Sequence, residues 1–340
     1  MPTIMKKTLL TPILLAALLA GSATKLRAQH PAPEGAAEAT SASATEAPEN
    51  DASHKKKPKT TTTTVTEANG KEVKETVVVE PKKSRFSGDL GLTILNQYNT
   101  RGIIVQSHGV VYQPYVDIYL NLYKGDGFIN SVNIQAGLWG DLCSDLRVSD
   151  PTKDNATRHF TELDFIPGAS VTFLKRFTFT LLYNTWVTPA GGYNSGEWLQ
   201  GILAYDDSNL LFPNFSFQPV FKTLYELPSS TPSGLRGHGW YFEPSLTPNY
   251  TFFAKSKYPV NLGLNFTLGL GSQFYAGETF GYFAFGPQLS VPLGFIPSEF
   301  GKWTVSAGYR HYVLGETTAA IAPGGRANQE LYSLSLGLQF

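Results

Sequence analysis

The chain is short of cysteine, of charge and of long apolar runs, and each shortage removes a class of protein. Cys143 is the single cysteine among 340 residues, so no disulfide can form within the chain. Charged residues make up only 16% of it, and 27 basic residues face 27 acidic ones, without the basic surface that a nucleic-acid partner requires. Beyond residue 28 no apolar stretch approaches the ~20 residues of a membrane-crossing helix. The six histidines stand at no ligand spacing, so no metal and no cofactor is implied. If such a chain crosses a membrane, it must do so as a closed barrel, because only closure satisfies every backbone group in lipid.

Residues 1–28 have the composition of a secretory leader: Lys6 and Lys7, an apolar run over Leu9–Leu19, then small residues with cuts expected after Ala23 or Ala28. Ser22 stands where a lipid-bearing cysteine would have to be, which argues against a lipid anchor. Without the leader the net charge is near −4. Residues 29–84 are dominated by Ala, Pro, Glu, Ser and Thr, with a lysine run at 55–57 and a threonine run at 60–64. Such a segment lacks the apolar surface to offset its ordering entropy and is expected to be a mostly disordered periplasmic linker. Inside it, Asn69-Gly70 between alternating stretches is a hairpin signal, although an isolated two-stranded hairpin is marginal in water.

From residue 85 to 340 apolar residues keep to every second place, the period of a strand with one greasy and one wet face. In 260–272, Leu262, Leu264, Phe266, Leu268 and Leu270 oppose Asn261, Gly263, Asn265, Thr267 and Gly269. In 109–122, Tyr112, Val116, Ile118 and Leu120 oppose Gln113, Asp117 and Asn121. Twelve such stretches are expected at 86–97, 109–122, 129–140, 160–174, 176–188, 196–206, 215–226, 239–253, 260–272, 281–294, 302–313 and 328–340. Short and long connections alternate between them, as in an up-and-down barrel with both termini on the periplasmic side. The fold class expected is therefore all-β: a transmembrane antiparallel up-and-down β-barrel of about twelve strands. Trp139, Trp186, Trp198, Tyr258 and Trp303 lie near strand ends and suit interfacial girdles. Against the barrel stand Pro114, Pro219, Pro244, Pro248, Pro287 and Pro292, which fall inside proposed strands of a sheet that has no edge to host them.

Two resemblances bear on the reading. The last strand, with Tyr332, Leu334, Leu336, Leu338 and Phe340 in alternation, resembles the closing strand of bacterial outer-membrane barrels, whose terminal Phe serves as an assembly signal. Tyr98, Asn99, Thr100, Arg101, Gly102 and Ile103, followed by Gln113-Pro114, resemble the Tyr-x-x-Arg-Gly opening of a broad family of bacterial outer-membrane proteins of the Gcw_chp type, grouped with porins. That resemblance spans the chain from about residue 88 and implies location and fold, not a substrate. Arg101, at the end of the first expected strand, could guard the mouth or bind anionic sugar on lipopolysaccharide, or be a turn-stabilising residue beside Gly102.

If the apolar face meets lipid, the polar face lines a lumen. Candidates for that lining are Asp89, Asp117, Asn133, Glu162, Asp164, Lys222, Glu226, Glu243 and Arg310, with Thr93, Asn121, Gln135, Asn184, Gln218 and Asn265 beside them. Acids outnumber bases, which favours cations. The function expected is a porin-like outer-membrane channel for passive diffusion of small hydrophilic solutes or ions. The alternative is a closed structural or binding barrel acting through its outer loops or its periplasmic tail. A rim hydrolase is disfavoured, since none of His108, His159, His238 and His311 is followed two places later by Ser, and no enzyme is expected. The partners expected are outer-membrane lipid, the barrel-assembly machinery and the solute itself. Oligomeric state leaves no mark in the sequence.

Overall fold

The computed structural model describes residues 59–66, 72–79, 84–145, 152–191, 195–227 and 239–340. The leader, and most of the expected linker, lie outside the described residues. Within the linker, β1 (Lys59–Thr66) and β2 (Glu72–Val79) pair antiparallel from Lys59 opposite Val79 to Thr66 opposite Glu72. That pairing frames the Asn-Gly hairpin signal.

The remaining strands are β3 (Phe86–Leu95), β4 (Tyr98–Thr100), β5 (Ile103–Gln106), β6 (Val111–Lys124), β7 (Ile129–Cys143), β8 (Phe160–Phe173), β9 (Phe177–Val187), β10 (Gly196–Tyr205), β11 (Phe215–Ser216), β12 (Val220–Glu226), β13 (Trp240–Leu246), β14 (Asn249–Phe252), β15 (Val260–Gly271), β16 (Phe280–Pro292), β17 (Lys302–Leu314) and β18 (Asn328–Gln339). Apart from β4 and β5 they form one antiparallel sheet. In it β11 and β12 are two parts of one barrel strand, and β13 and β14 two parts of the next, which gives twelve strand positions. The last strand closes on the first, from Ser333 opposite Leu95 to Gln339 opposite Asp89. No sheet edge is left open there.

The two faces are inverted relative to a soluble barrel. Along β15, Asn261, Asn265 and Thr267 are buried while Leu262, Leu264 and Phe266 are exposed. Burying an apolar side chain of this size is worth roughly 1.5–3 kcal/mol, so a wall that turns such residues outward on most of its strands is matched to hydrocarbon rather than water. At the end where the first barrel strand begins and the last one finishes, Phe86, Phe128, Phe253, Tyr258, Phe295, Phe300 and Phe340 are exposed, a belt of rings where a headgroup region would lie.

The prolines, which stood against a barrel, fit it through a common device. Pro114 pairs with Leu92 on one side, while on the other the ladder jumps from Tyr112–Leu142 to Tyr115–Trp139. Pro167, Pro244 and Pro287 repeat this: each is opposed on one neighbour by Ala136, Phe221 and Leu264 respectively, and the other ladder skips that place. A missing N–H costs nothing where no ladder bond is made. Pro219 and Pro248 sit in the interruptions between β11 and β12 and between β13 and β14, and Pro292 ends β16.

Connections at one end are short, at 125–128, 174–176, 206–214, 253–259 and 293–301. At the other they are longer on the whole, and three of them fold back over the mouth: 96–110, 272–279 and 315–327. The last carries a short helix, Glu316–Ile321, tied to the wall by the Thr318 hydroxyl, which donates to Gly281 O at 2.6 Å.

Candidate functional site: the occupied mouth of the barrel

The connection after β3 turns inward. β4 and β5 form a tight hairpin, with Thr100 opposite Ile103, whose two central residues are Arg101 at φ 51° and Gly102 at φ 78°. Positive φ at both positions is what a two-residue type I′ turn requires. Glycine takes it freely, whereas an arginine there is strained, and such strain persists where surrounding contacts hold it. Those contacts are extensive. Tyr98 packs on the Trp139 ring with centroids 5.6 Å apart, and its hydroxyl donates to Glu162 Oε2 at 3.3 Å. The Tyr275 hydroxyl donates to the Arg101 carbonyl at 2.8 Å. Ile103, Ile104 and Val105 pack against the buried cluster.

Arg101 itself is buried, with its guanidinium carbon 4.0 Å from the centroid of the Trp198 ring and 5.8 Å from that of Phe274. Trp198 stands on β10, nearly opposite β3 in the strand order, so the hairpin crosses the mouth. The Trp186 ring lies beside that of Trp198 with centroids 4.3 Å apart. A desolvated cation over an indole face gains about 2 kcal/mol.

Carboxylates surround this contact. Register sets Asp141 opposite Glu162, Asp164 between Trp139 and Trp186, and Trp198 between Asn184 and Glu226. Asn184 Nδ2 donates to Asp164 Oδ2 at 3.3 Å, and Gln113 Nε2 donates to Asp141 Oδ1 at 2.9 Å. The Thr161 hydroxyl donates to the other oxygen of Asp141. Asp164 Oδ1 and Asn184 Oδ1 are buried with no hydrogen-bond partner.

Other inward groups are held in pairs. Lys222 Nζ lies 2.9 Å from Glu243 Oε1, and the hydroxyls of Tyr241 and Tyr282 both donate to Glu243 Oε2. Arg310 Nη1 donates to Thr267 Oγ1 at 3.3 Å. A cavity of about 10 Å³ between Asn99, Gln113, Asn265, Gln288 and Arg310 is the size of one water. Asn133 accepts from Asn121 at 2.8 Å and donates to Ser170 at 3.4 Å, and Asp89 faces Asp117 directly across β3 and β6.

Thus Glu162, Asp164 and Glu226 gather round the mouth with Arg101, Lys222 and Glu243 form a pair, and Asp89, Asp117, Asn133 and Arg310 lie apart from both groups. Arg101 is a turn residue in its backbone, and its side chain is stacked inside the mouth. Trp139, Trp186 and Trp198, expected in the girdle, point inward and are buried. Their parity already carried that information, since Trp198 shares a face with Gln200 and Trp186 with Asn184. Tyr258 is exposed at the turn end. Asp141, Phe274 and Tyr275 were missed: the first lies one place beyond the expected strand 129–140, and the others sit in a loop without period. Tyr332, Leu334, Leu336 and Phe340 are exposed on the outer face and Leu338 is half-buried. Among the described residues no group of three or more His, Cys, Asp or Glu is placed to hold a metal.

No family model matches the chain, and no curated protein matches it. Among solved structures it is similar to an outer membrane channel from Pseudomonas putida F1, at 10% identity and TM-score 0.43 over 76% of this chain and 97% of that one. It is similar to the beta domain of the Bordetella autotransporter Brka, at 11% identity and TM-score 0.41 over 75% and 98%. A third is BamA from Haemophilus ducreyi lacking POTRA domains 1–3, at 9% identity and TM-score 0.35 over 83% and 75%.

Proposed function

We propose that the chain is an outer-membrane channel for small hydrophilic solutes, described here with its mouth occupied. The observation that carries this reading is the inverted wall: carboxylates, amides and hydroxyls turned inward from Asp141 at one end to Asn261 towards the other, inside an exterior of Leu and Phe. A barrel serving only as a scaffold has no need of so many buried polar groups, each of which costs free energy unless paired. In this reading the hairpin of β4 and β5 is the gate and Arg101 on Trp198 its latch. The reading includes export by the leader, insertion by the barrel-assembly machinery with the last strand as signal, and no catalytic step. The Tyr-x-x-Arg-Gly resemblance belongs with it, because the motif's Arg and Gly are the turn of the gate.

The second reading, a closed binding barrel, is favoured by the depth to which the hairpin fills the mouth. Single-channel current separates the two, using full-length chain produced in a bacterial host, extracted from its outer membrane and reconstituted in a planar bilayer. The channel reading expects stepwise conductance with brief openings, lengthened when residues 98–106 are replaced by a short Gly-Ser link. Silence from both inserted proteins would overturn it.

A further inference from the structure

We infer that the outer chamber of the lumen is a binding site for an organic cation with a guanidinium or alkylammonium head, a site that the chain's own Arg101 fills in the described state. This rests on the channel reading only in that the solute reaches the chamber through the mouth.

The first observation is the occupant. A guanidinium sits 4.0 Å from the Trp198 ring centroid with Phe274 beyond it, so the chamber accepts this head group in its described shape. Arg101 arrives on a hairpin that is no part of the barrel ladder, hence it can leave without breaking the wall. The second is charge. Among the described residues four buried acids, Asp141, Glu162, Asp164 and Glu226, stand round the mouth with Arg101, while Glu243 is paired with Lys222 and Asp117 and Arg310 lie apart. A chamber with that imbalance attracts cations and repels anions. The third is unmet acceptance. Asp164 Oδ1 and Asn184 Oδ1 are 4% and 3% exposed as residues and receive no hydrogen bond. A guest carrying several N–H donors relieves that cost.

Ring walls decide between kinds of cation. Trp186, Trp198 and Phe274 offer π faces that suit a weakly hydrated head, whereas sodium would lose its water for little return. The guest and Arg101 compete for one place, so binding and opening of the gate are linked: a guest that fits the chamber only when Arg101 is out favours the open state.

Agmatine, which has a guanidinium at one end and an ammonium at the other, is the probe. Equilibrium dialysis of labelled agmatine is run on detergent-solubilised full chain at fixed ionic strength, with heat-modifiable gel mobility certifying the barrel. Arg101→Ala vacates the chamber and is expected to bind agmatine at least tenfold more tightly than the parent chain. Adding Trp198→Ala or Asp164→Asn to it is expected to cancel at least tenfold of that affinity. Arg101→Gln serves should the alanine variant fail the mobility test. A folded Arg101 variant that binds agmatine no better than the parent chain overturns the inference, as does binding insensitive to both added substitutions. Conductance without agmatine binding overturns the inference and leaves the channel reading standing; binding without conductance supports the inference and overturns the channel.

Discussion

Gly88 and Phe340 hold the two ends of the barrel together, each donating its N–H to the other's carbonyl at 3.0 Å. The Phe340 ring lies over Gly88 so closely that a Cβ on the glycine would stand 2.5 Å from it. Removing Leu338–Phe340 takes away this exchange and the pairing of Leu338 with Leu90. The truncated chain is expected to leave the outer membrane without folded protein, read as loss of the heat-modifiable gel band. Gly88→Val keeps the signal but crowds the ring, a substitution of the overpacking kind that costs about 1–3 kcal/mol; it is expected to insert and to unfold at lower urea. Normal insertion of the truncated chain would show that closure does not depend on this end.

The barrel was legible because its strands differ so sharply between faces. Leu262, Leu264 and Phe266 against Asn261, Gly263 and Asn265 fix both the element and its orientation once lipid is taken as the outside. The prolines were not legible as tolerated, because tolerance depends on which of two ladders a residue's N–H faces, and that is a property of register. The gate was half visible. Ile103, Ile104 and Val105 are three apolar residues in a row where a water-exposed loop has no use for them, and they pack on the core. What the sequence could not show is where Arg101 ends up, since its partners Trp198 and Phe274 are about 100 and 170 residues further on.

The proline device predicts an asymmetry. Ala307 on β17 is paired on both sides, with Leu289 and with Leu334. A proline placed there loses a ladder bond in a wall without an edge, at about 3 kcal/mol or more. Ala307→Pro is therefore expected to abolish the folded band, while Pro287→Ala, at a place that the β16–β17 ladder skips, is expected to insert normally. Equal damage from the two would mean that the skipped ladder places are incidental.

Lys222 and Glu243 are expected to respond unequally. Glu243→Gln strips the mostly buried lysine of the carboxylate 2.9 Å away, a loss of up to about 3 kcal/mol. Lys222→Met leaves a carboxylate that still accepts from Tyr241 and Tyr282, so its loss is expected to be smaller. The double variant is expected to cost less than the sum of the two, because no charge is then stranded. Urea unfolding of the three variants in detergent measures this; strict additivity would show that the pair is solvated.

Gly102 tests the gate apart from the wall. At φ 78° an L side chain costs roughly 1–2 kcal/mol, and a Cβ would stand 2.8 Å from the Tyr282 ring. Gly102→Ala therefore strains the hairpin from within and pushes it off the ring beneath. The barrel ladder contains neither β4 nor β5, so the urea midpoint is expected to stay where it is. Mean open time in a planar bilayer is expected to lengthen, because the strain falls only on the state in which the hairpin fills the mouth. A lowered urea midpoint with unchanged current would place the hairpin among the supports of the barrel and take away its role as a gate.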